Sequence, residues 1–238
     1  MTPLSCVFFD AAGTLFHLRE PVGVTYARIA AHHEIKVEPD LVEKGFRHAW
    51  RSTPPNVHPV DNIPDDDDAA WWRELVGKTF EHAVTGPQVS PTPPLSPPVL
   101  DALFQDLYSH FARPEPWVLF DDTRPALEML KETCPLRLFV LSNFDRRLHA
   151  ILEGLGLAHY FESVILSSEV GASKPHPRIF ATALELAGAS AQHCLHIGDD
   201  PRCDLQGAET AGMQARLIDR PAVTLLTLAQ EIKESAKK

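Results

Sequence analysis

Residues 6–16 read CVFFDAAGTLF, an apolar run that ends at one aspartate and then turns through small residues. A continuously apolar run is typical of a strand buried on both faces of a parallel sheet. Asp10 ends this run, and Gly13 and Thr14 follow it closely. We interpret the stretch as a catalytic strand end. A second carboxylate two residues after Asp10 would assist it, but Ala12 occupies that position.

Further apolar runs alternate with helical patterns along the rest of the chain. Together with 4–9, the predicted strands are 136–141, 163–166, 194–197 and 215–218. The predicted helices between them are 124–132, 146–155, 177–186 and 204–211. This alternation predicts an α/β fold with a doubly wound, Rossmann-like parallel sheet. Right-handed crossovers then bring all strand-to-helix loops to one edge of the sheet.

The connection after the first strand is far longer than an ordinary loop. It carries four helical patterns, at 22–33, 39–50, 68–84 and 98–111. Proline-rich segments at 52–64 and 85–98 separate these helices. We therefore predict an inserted α-helical domain over 17–113, and an α/β core domain formed by 1–16 and 114–238.

Composition and charge exclude several classes of protein. The net charge of −10 argues against broad binding of nucleic acid or of an anionic membrane. No apolar run approaches the ~20 residues of a membrane span, and the N-terminus lacks the basic segment of a signal peptide. The four cysteines, Cys6, Cys134, Cys194 and Cys203, form no C-x-x-C pair. Scattered thiols of this kind are typical of a reducing compartment, so we expect a cytoplasmic protein.

Polar residues follow four of the predicted strands, at the edge where the loops gather. The segments are FFDAAGT at 8–14, VLSNFD at 140–145, SSEVGASKPHP at 167–177 and HIGDDPRCD at 196–204. Each segment alone is a weak signal, because an acid after a strand is also a common helix cap. All four segments in this order, each at a strand end, form a highly specific signal.

The four segments together resemble the motifs of the haloacid dehalogenase (HAD) superfamily, and the resemblance covers essentially the whole chain. Asp10 matches the nucleophile of the first motif, Ser142 the second motif and Lys174 the third. The acids that match the fourth motif are Asp199, Asp200 and Asp204. The inserted helical domain resembles the cap of subfamily I. The first motif is most similar to a branch that lacks the second aspartate.

The resemblance and the residue types imply catalytic roles at the sheet edge. Asp10 is expected to attack phosphorus or carbon and form a covalent ester. Thr14 would orient the Asp10 carboxylate or donate to a bound oxyanion. The Ser142 hydroxyl and the backbone N–H of Asn143 would bind the oxygens of the transferring group. Lys174 would neutralise both the nucleophile and those oxygens.

The resemblance also implies Mg²⁺, a cation that carboxylate and carbonyl oxygens suit. Its expected ligands are Asp10, the backbone carbonyl of Ala12, and Asp199. An alanine supplies that carbonyl as well as an aspartate does. Asp200 is a further candidate ligand. Asp204 is expected to support the lysine or a metal-bound water.

The missing acid at position 12 limits the chemistry that this resemblance implies. In phosphatases of the superfamily, the second aspartate protonates the leaving group and then activates water, and such help is worth ~10²–10⁴ in rate. We favour a Mg²⁺-dependent phosphatase that hydrolyses a small phosphorylated metabolite. It would be slow, or it would take its acid from the insert, where His17, Glu20 and His58 are candidates.

Two alternatives remain from the same residues. Dehalogenases that act on 2-haloacids also lack this acid, but they usually need no metal. They replace the Gly-Asp-Asp of the fourth motif with Ser and Asn types, and this chain keeps Gly-Asp-Asp at 198–200, which counts against dehalogenation. Phosphonoacetaldehyde hydrolases combine alanine here with Mg²⁺ and need a Schiff-base lysine in the cap, for which Lys36, Lys44 and Lys78 are candidates. The other alternative is a catalytically weak HAD fold used for binding or regulation, although such a protein need not keep all three of Asp10, Lys174 and Asp199.

Overall fold

A computed structural model describes residues 3–65, 68–85, 95–133 and 136–235. Contacts between residues group the chain into two compact units. The core unit comprises Met1–His17, Asn56–Pro64 and Trp117–Lys238, and the insert unit comprises Leu18–Pro55 and Asp65–Pro116. Part of the first proline-rich segment thus groups with the core unit. The domain boundaries drawn from the sequence stay a prediction.

The core unit is built on a parallel sheet of five strands, in the order β5-β4-β1-β6-β7. These strands are β1 Cys6–Phe9, β4 Arg137–Ser142, β5 Ser163–Leu166, β6 Cys194–Gly198 and β7 Gln214–Leu217. Two short strands that the sequence analysis did not predict, β2 Phe16–Leu18 and β3 Trp117–Leu119, form a separate two-stranded sheet. The predicted parallel α/β fold is confirmed.

The order of the strands explains why one edge of the sheet carries the site. From β1 the chain first builds outward through β4 and β5, and then on the other side through β6 and β7. Phe9, the last residue of β1, lies opposite Val140 of β4 and Ile197 of β6. The three central strands therefore end almost level. Ligands of doubly wound sheets bind at the carboxyl ends of the strands, where the order reverses in this way.

Ten α-helices lie within the described residues. Those of the long connection are α1 Val22–His32, α2 Pro39–Ser52, α3 Ala69–Thr85 and α4 Pro97–His110. The others are α5 Thr123–Thr133, α6 Arg147–Gly154, α7 Ser167–Val170, α8 Pro177–Ala187, α9 Gly207–Thr210 and α10 Leu225–Ser235. Most of the second proline-rich segment, 86–94, lies outside the described residues. None of the helices in the described ranges combines the length and apolar character that a bilayer-spanning helix needs.

One predicted helix, 204–211, is wrong in its boundaries and its type. Residues Pro201–Gln206 form a π-helix, and only the single turn of α9 after it is α-helical. The Asp200 carboxylate accepts the backbone N–H groups of Arg202 and Cys203, at 2.8 and 2.6 Å, and so begins the helix earlier than the apolar pattern indicates. Asp204 therefore lies within this wider helical turn.

Each unit has its own hydrophobic core. In the core unit the rings of Phe8 and Phe139 stack at 4.9 Å in the buried cluster against α8. In the insert unit Tyr26 of α1 stacks on Phe80 of α3 at 6.1 Å within a second cluster. Close packing of the Phe8 and Phe139 rings on one face of the core sheet keeps the adjacent strands β1 and β4 in a fixed arrangement, and with them the strand ends.

Candidate active site

Asp10 lies at the end of the central strand, with its carboxylate almost buried. Its backbone N–H donates to the carbonyl of Ile197 at 2.9 Å, which continues the pairing of β1 with β6. Oδ1 of Asp10 accepts the hydroxyl of Ser142 at 3.1 Å and Nζ of Lys174 at 2.7 Å. Within the described residues no donor reaches Oδ2. That oxygen is therefore the one available to attack a substrate or to bind a cation.

The turn after Asp10 depends on glycine. The carbonyl of Ala11 accepts the N–H groups of Thr14, Leu15 and Phe16, so the chain wraps tightly around this one acceptor. Gly13 has φ +93°, and a Cβ at this residue would lie 2.3 Å from Oδ2 of Asp199. Only glycine permits both the left-handed backbone and the close approach of that carboxylate.

Lys174, in the third predicted segment, contacts the other three segments through its ammonium group. The residue is only 2% exposed. Nζ donates to Oδ1 of Asp10 at 2.7 Å, to Oδ1 of Asp204 at 2.6 Å and to the carbonyl of Leu141 at 2.8 Å. Burial by itself lowers the pKa of a lysine, but the two carboxylates outweigh it and hold the pKa of Lys174 above its ordinary value. The lysine is therefore a buried, permanent cation.

The side chain of Asn143 fixes the backbone of that lysine. Its Nδ2 donates to the carbonyl of Lys174 at 2.9 Å, and the N–H of Lys174 donates back to its Oδ1 at 2.5 Å. This two-point contact ties the loop after β5 to the loop after β4. The sequence predicts only a backbone role for Asn143, and the structure adds a side chain that holds Lys174 in place.

The three acids of the fourth segment make different contacts. Oδ2 of Asp204 accepts the backbone N–H of Asp200 at 3.0 Å, and the Asp200 carboxylate caps the π-helix. A Cβ at Gly198 would lie 2.1 Å from Cγ of Asp204, so glycine is required for Asp204 to reach the strand ends. Carboxylate oxygens of Asp10, Asp199 and Asp204 lie within 4.8 Å of one another, and Asp200 does not belong to this cluster.

Burial acts to raise the pKa values of the three carboxyl groups in this acidic cluster. It raises the pKa of Asp10 to about 6, although Lys174 acts against the increase. It also raises the pKa of Asp199, and the charge of Asp204 adds to that increase. Burial acts in the same direction on Asp204, but Lys174 and then His196 outweigh it and hold the pKa of Asp204 well below its usual range. Asp204 is therefore the acid that neutralises Lys174.

The cluster fits a divalent cation. Its oxygen atoms are hard donors of the kind that Mg²⁺ prefers, and one lysine cannot neutralise three carboxylates. A cation beside Asp10 and Asp199 would favour their ionised forms and so reverse the effect of burial on their pKa values. Asp10, Asp199 and the carbonyl of Ala12 are the groups that would hold it, and Asp204 would remain paired with Lys174.

Thr14 and Ala12 occupy the turn beside the cluster. The hydroxyl of Thr14 donates to Oδ1 of Asp199 at 3.5 Å, a long contact. Its partner is therefore the fourth-segment acid Asp199, whereas the sequence predicts Asp10 or a bound oxyanion as the partner. Ala12 is half-buried, and its backbone pairs with Phe16 in an isolated bridge.

The candidates for a replacement acid differ in their surroundings. Oε1 of Glu20 accepts Thr25 at 2.6 Å and Arg28 at 2.7 Å, and these hydrogen bonds hold the pKa of Glu20 below its ordinary value. A carboxylate held in its ionised form has no proton to give at neutral pH. His17 lies in β2, and the backbone N–H of His58 donates to the carbonyl of Gly171 at 2.8 Å. His58 is thus tied to the loop that carries Lys174.

Three contributors to the site were not predicted from the sequence. Residues 56–58 pair with 171–173, just before Lys174. Arg220 donates to the carbonyl of Thr14 at 3.1 Å and lies over the ring of Phe120 at 3.7 Å, which supports the turn after Asp10. His196 contacts Asp204 from β6. Of these, only His196 carried a signal, because a polar residue interrupts an otherwise apolar strand.

Comparison with known proteins shows what this chain is similar to. A family model described as haloacid dehalogenase-like hydrolase matches residues 4–212. The haloacid dehalogenase-like hydrolase domain-containing protein 3 of Homo sapiens is 36% identical over 213 residues, which cover 90% of this chain and 81% of that protein.

Solved structures share the fold at low sequence identity. The putative HAD-hydrolase YfnB from Bacillus subtilis, bound to magnesium, has a TM-score of 0.69 at 17% identity and covers 100% of both chains. A defluorinating L-2-haloacid dehalogenase has a TM-score of 0.70 at 17% identity and covers 97% of this chain and 95% of its own. At these identities the likeness concerns the fold alone.

Proposed function

This chain belongs to the haloacid dehalogenase-like hydrolase family, and from that premise we propose that it is a Mg²⁺-dependent phosphatase. Its substrate would be a small phosphorylated metabolite, hydrolysed through a phosphoryl ester on Asp10. We also propose that the helical insert is a cap domain, and that the protein works in the cytoplasm on neither nucleic acid nor membranes. The buried free thiols of Cys6 and Cys194 suit a reducing compartment.

The observation that carries the proposal is the pairing of a buried cation with a cluster of three acids. Lys174 neutralises Asp204 and contacts one oxygen of Asp10, while the acids retain excess negative charge. A dianionic phosphoryl group can approach such a site only if a divalent cation offsets this charge. The assembled lysine and the acids therefore support metal-assisted phosphoryl chemistry.

In the proposed reaction, side chains of this protein carry out phosphoryl transfer. The free oxygen of Asp10 would attack phosphorus while the phosphoester bond breaks, giving an aspartyl phosphate and a leaving-group oxyanion that takes its proton from solvent water. Lys174 and the hydroxyl of Ser142, which both donate to Asp10, are in place to donate to the transferring oxygens as their charge grows. Bound Mg²⁺ would neutralise charge on the nucleophile and on the phosphoryl group. Water would then hydrolyse the ester and restore Asp10.

The alternatives receive less support. The Schiff-base chemistry of carbon–phosphorus cleavage needs a desolvated lysine of lowered pKa. Lys36 and Lys44 are exposed, and Lys78 pairs with Glu74 at 2.6 Å. Dehalogenation of 2-haloacids is favoured by Ala12 alone, since halide leaves without a proton. A binding module would not need Lys174 buried against a nucleophile.

Activity is expected to require a divalent cation. Exhaustive chelation should reduce phosphatase activity at least about 100-fold, because several kcal/mol of charge stabilisation would be lost, and Mg²⁺ should restore it. Mg²⁺ should also raise the unfolding temperature of the wild type, and Asp199→Asn should reduce that increase while Asp121→Asn, a change at an exposed acid, should not. Full hydrolysis after chelation would contradict the proposal and favour dehalogenation.

The rate is expected to depend strongly on the leaving group. Without an acid at position 12, acyl and aryl phosphates, whose leaving groups are weak bases, should be hydrolysed far faster than alkyl phosphates. A plot of log kcat/KM against the pKa of the leaving group should have a steep negative slope. A panel of acyl, aryl and alkyl phosphates measures this slope. In the same panel, 2-haloacids assayed with and without Mg²⁺ test the alternative reaction, dehalogenation.

The variant Ala12→Asp tests the cause of that slope. It should raise alkyl-phosphate turnover by about ten-fold or more and flatten the plot, because general acid help is restored. Ala12→Asn has the same shape but no proton to give, and it should show no gain. Folding and Mg²⁺ affinity must be checked first, since an added carboxylate increases repulsion in the cluster. A folded, Mg²⁺-loaded Ala12→Asp with no gain, and a flat wild-type plot, would show that another residue supplies the proton.

A further inference from the structure

A buried histidine lies behind the candidate active site, outside the roles described so far. His196 is the third residue of β6 and is 0% exposed. Its Nε2 lies 2.9 Å from Oδ1 of Asp204, and its ring packs edge-on against Phe180 at 6.0 Å. Among the described residues, Nδ1 of His196 is the buried side-chain nitrogen or oxygen atom that has no hydrogen-bond partner.

The contact with Asp204 determines where the histidine carries its proton. An ionised carboxylate only accepts hydrogen bonds, so Nε2 must donate, and Nδ1 is left as a bare acceptor. A second proton, on Nδ1, would have no acceptor, and burial also lowers the pKa of His196. The ring is therefore neutral and offers one directed N–H to Asp204.

The unpartnered nitrogen makes His196 an unfavourable residue for packing alone. Buried polar atoms without a hydrogen-bond partner destabilise a folded protein. The neighbours of His196 in β6, Leu195 and Ile197, are apolar and buried, and a leucine at position 196 would leave no unsatisfied atom. The histidine therefore contributes something that packing does not require.

That contribution concerns the carboxylate which orients the catalytic lysine. Oδ1 of Asp204 accepts both His196 and Lys174, and Oδ2 accepts the N–H of Asp200. Three donors therefore hold this carboxylate, two at Oδ1 and one at Oδ2. The hydrogen bond from His196 also withdraws negative charge from Asp204, which leaves more of the positive charge of Lys174 for Asp10.

We propose that His196 is a positioning residue: its Nε2–H fixes the Asp204 carboxylate, which in turn keeps Nζ of Lys174 on Asp10. The inference rests on the proposed phosphatase function, because it assigns the lysine the task of stabilising the transferring group. The histidine contacts Asp204 and acts through it. Its loss should slow the chemical step and leave substrate binding nearly unchanged.

Three substitutions separate positioning from packing. His196→Leu should lower kcat of an aryl phosphate by about 10–100-fold, the usual effect of removing a partner that orients a ligand or catalytic group, with KM within about three-fold. Its unfolding temperature should equal or exceed that of the wild type. His196→Gln can place an amide N–H near the position of Nε2, and it should recover most of kcat. His196→Asn places its amide near the position of Nδ1, and it should not.

A double-mutant cycle tests the route of the effect. If His196 acts through Asp204 and Lys174, adding His196→Leu to Lys174→Met should slow the enzyme little beyond the lysine variant. A full additional 10–100-fold loss would show an independent action and overturn the proposal. Unchanged kcat in His196→Leu, or a loss that glutamine does not restore and that follows the unfolding temperature, would overturn it as well.

A readout without turnover separates this inference from the proposed function. Crystal structures of the wild type and of His196→Leu, or of His196→Asn if leucine prevents folding, give the distance from Nζ of Lys174 to Oδ1 of Asp10. The inference predicts that this contact lengthens or breaks in the variant. A contact kept at 2.7 Å would overturn it. If the wild type hydrolyses no phosphate ester, the proposed function fails, and these structures still decide the role of His196.

Discussion

Asp10→Asn is expected to abolish turnover while the fold stays intact. An amide is a poor nucleophile, and losing a covalent nucleophile typically reduces kcat by at least about four orders of magnitude. The substitution keeps the shape of the side chain, and its amide oxygen can still accept Ser142 and Lys174, which donate to Oδ1 of Asp10. The melting temperature should therefore change little.

The measurement is kcat on an aryl phosphate, with the unfolding temperature recorded alongside. Mass spectrometry of a quenched wild-type reaction should locate a phosphoryl group on the peptide that contains Asp10, and the variant should carry none. Asp121→Asn is the matched control, because it makes the same change at an exposed acid that follows β3. Wild-type rates in Asp10→Asn would show that the nucleophile has been assigned to the wrong residue.

Lys174→Met is expected to lower kcat by about three orders of magnitude. Removing one donor to a developing anion costs about 10²–10³ in rate, and this lysine also contacts the nucleophile. Lys131→Met is the control, since that lysine is exposed and donates to the carbonyl of His159 at 2.8 Å, away from the strand ends. A Lys174→Met enzyme within about ten-fold of the wild-type rate would contradict the assignment.

The same variant should lose stability in a pH-dependent way. In the wild type, pairing lowers the pKa of Asp204 below its unfolded value, so this stabilisation is present near neutral pH and is lost as pH falls. Without Lys174, burial is opposed mainly by His196, so the pKa of Asp204 rises. The folded variant then binds more protons than the folded wild type, so it gains less stability as pH rises.

Denaturant titrations at several pH values test this sign. The free energy of unfolding lost in Lys174→Met should be about 3–5 kcal/mol at pH 7, the usual effect of leaving buried charge without its partner. The loss should shrink as the pH approaches about 4, where carboxylates begin to protonate. A loss that is the same at both pH values would mean that packing, and not charge, causes the destabilisation.

The parallel sheet was predictable because it depends on local pattern. The strand at 163–166 has the same bounds in the sequence prediction and in the structure, and β1 and β6 differ from theirs by two residues or fewer at either end. Buried parallel strands are continuously apolar, and this property is visible in the sequence. The rule that their carboxyl ends share one edge then brings Asp10, Ser142, Lys174 and Asp199 together without further information.

Partners of the polar side chains were not predictable, because contacts between distant residues determine them. Asp200 and Asp204 are four residues apart and look equivalent in the sequence. In the structure one caps a π-helix, while the other reaches Lys174 and His196. The helix pattern at 204–211 gave no sign of the wider turn, since the Asp200 cap acts through hydrogen bonds and not through apolar spacing.

By itself, the sequence determined the fold, the family resemblance and the set of chemical groups at the sheet edge. Periodicity and strand-end position carry that information along the chain. Only the tertiary structure decided which oxygen of Asp10 is free, which acid neutralises Lys174, and that His196 supports this pair from inside the sheet. Hydrogen bonds and charges act over a few ångströms between residues such as Asp10 and Lys174, which are 164 positions apart, so folding must bring them together before their roles exist.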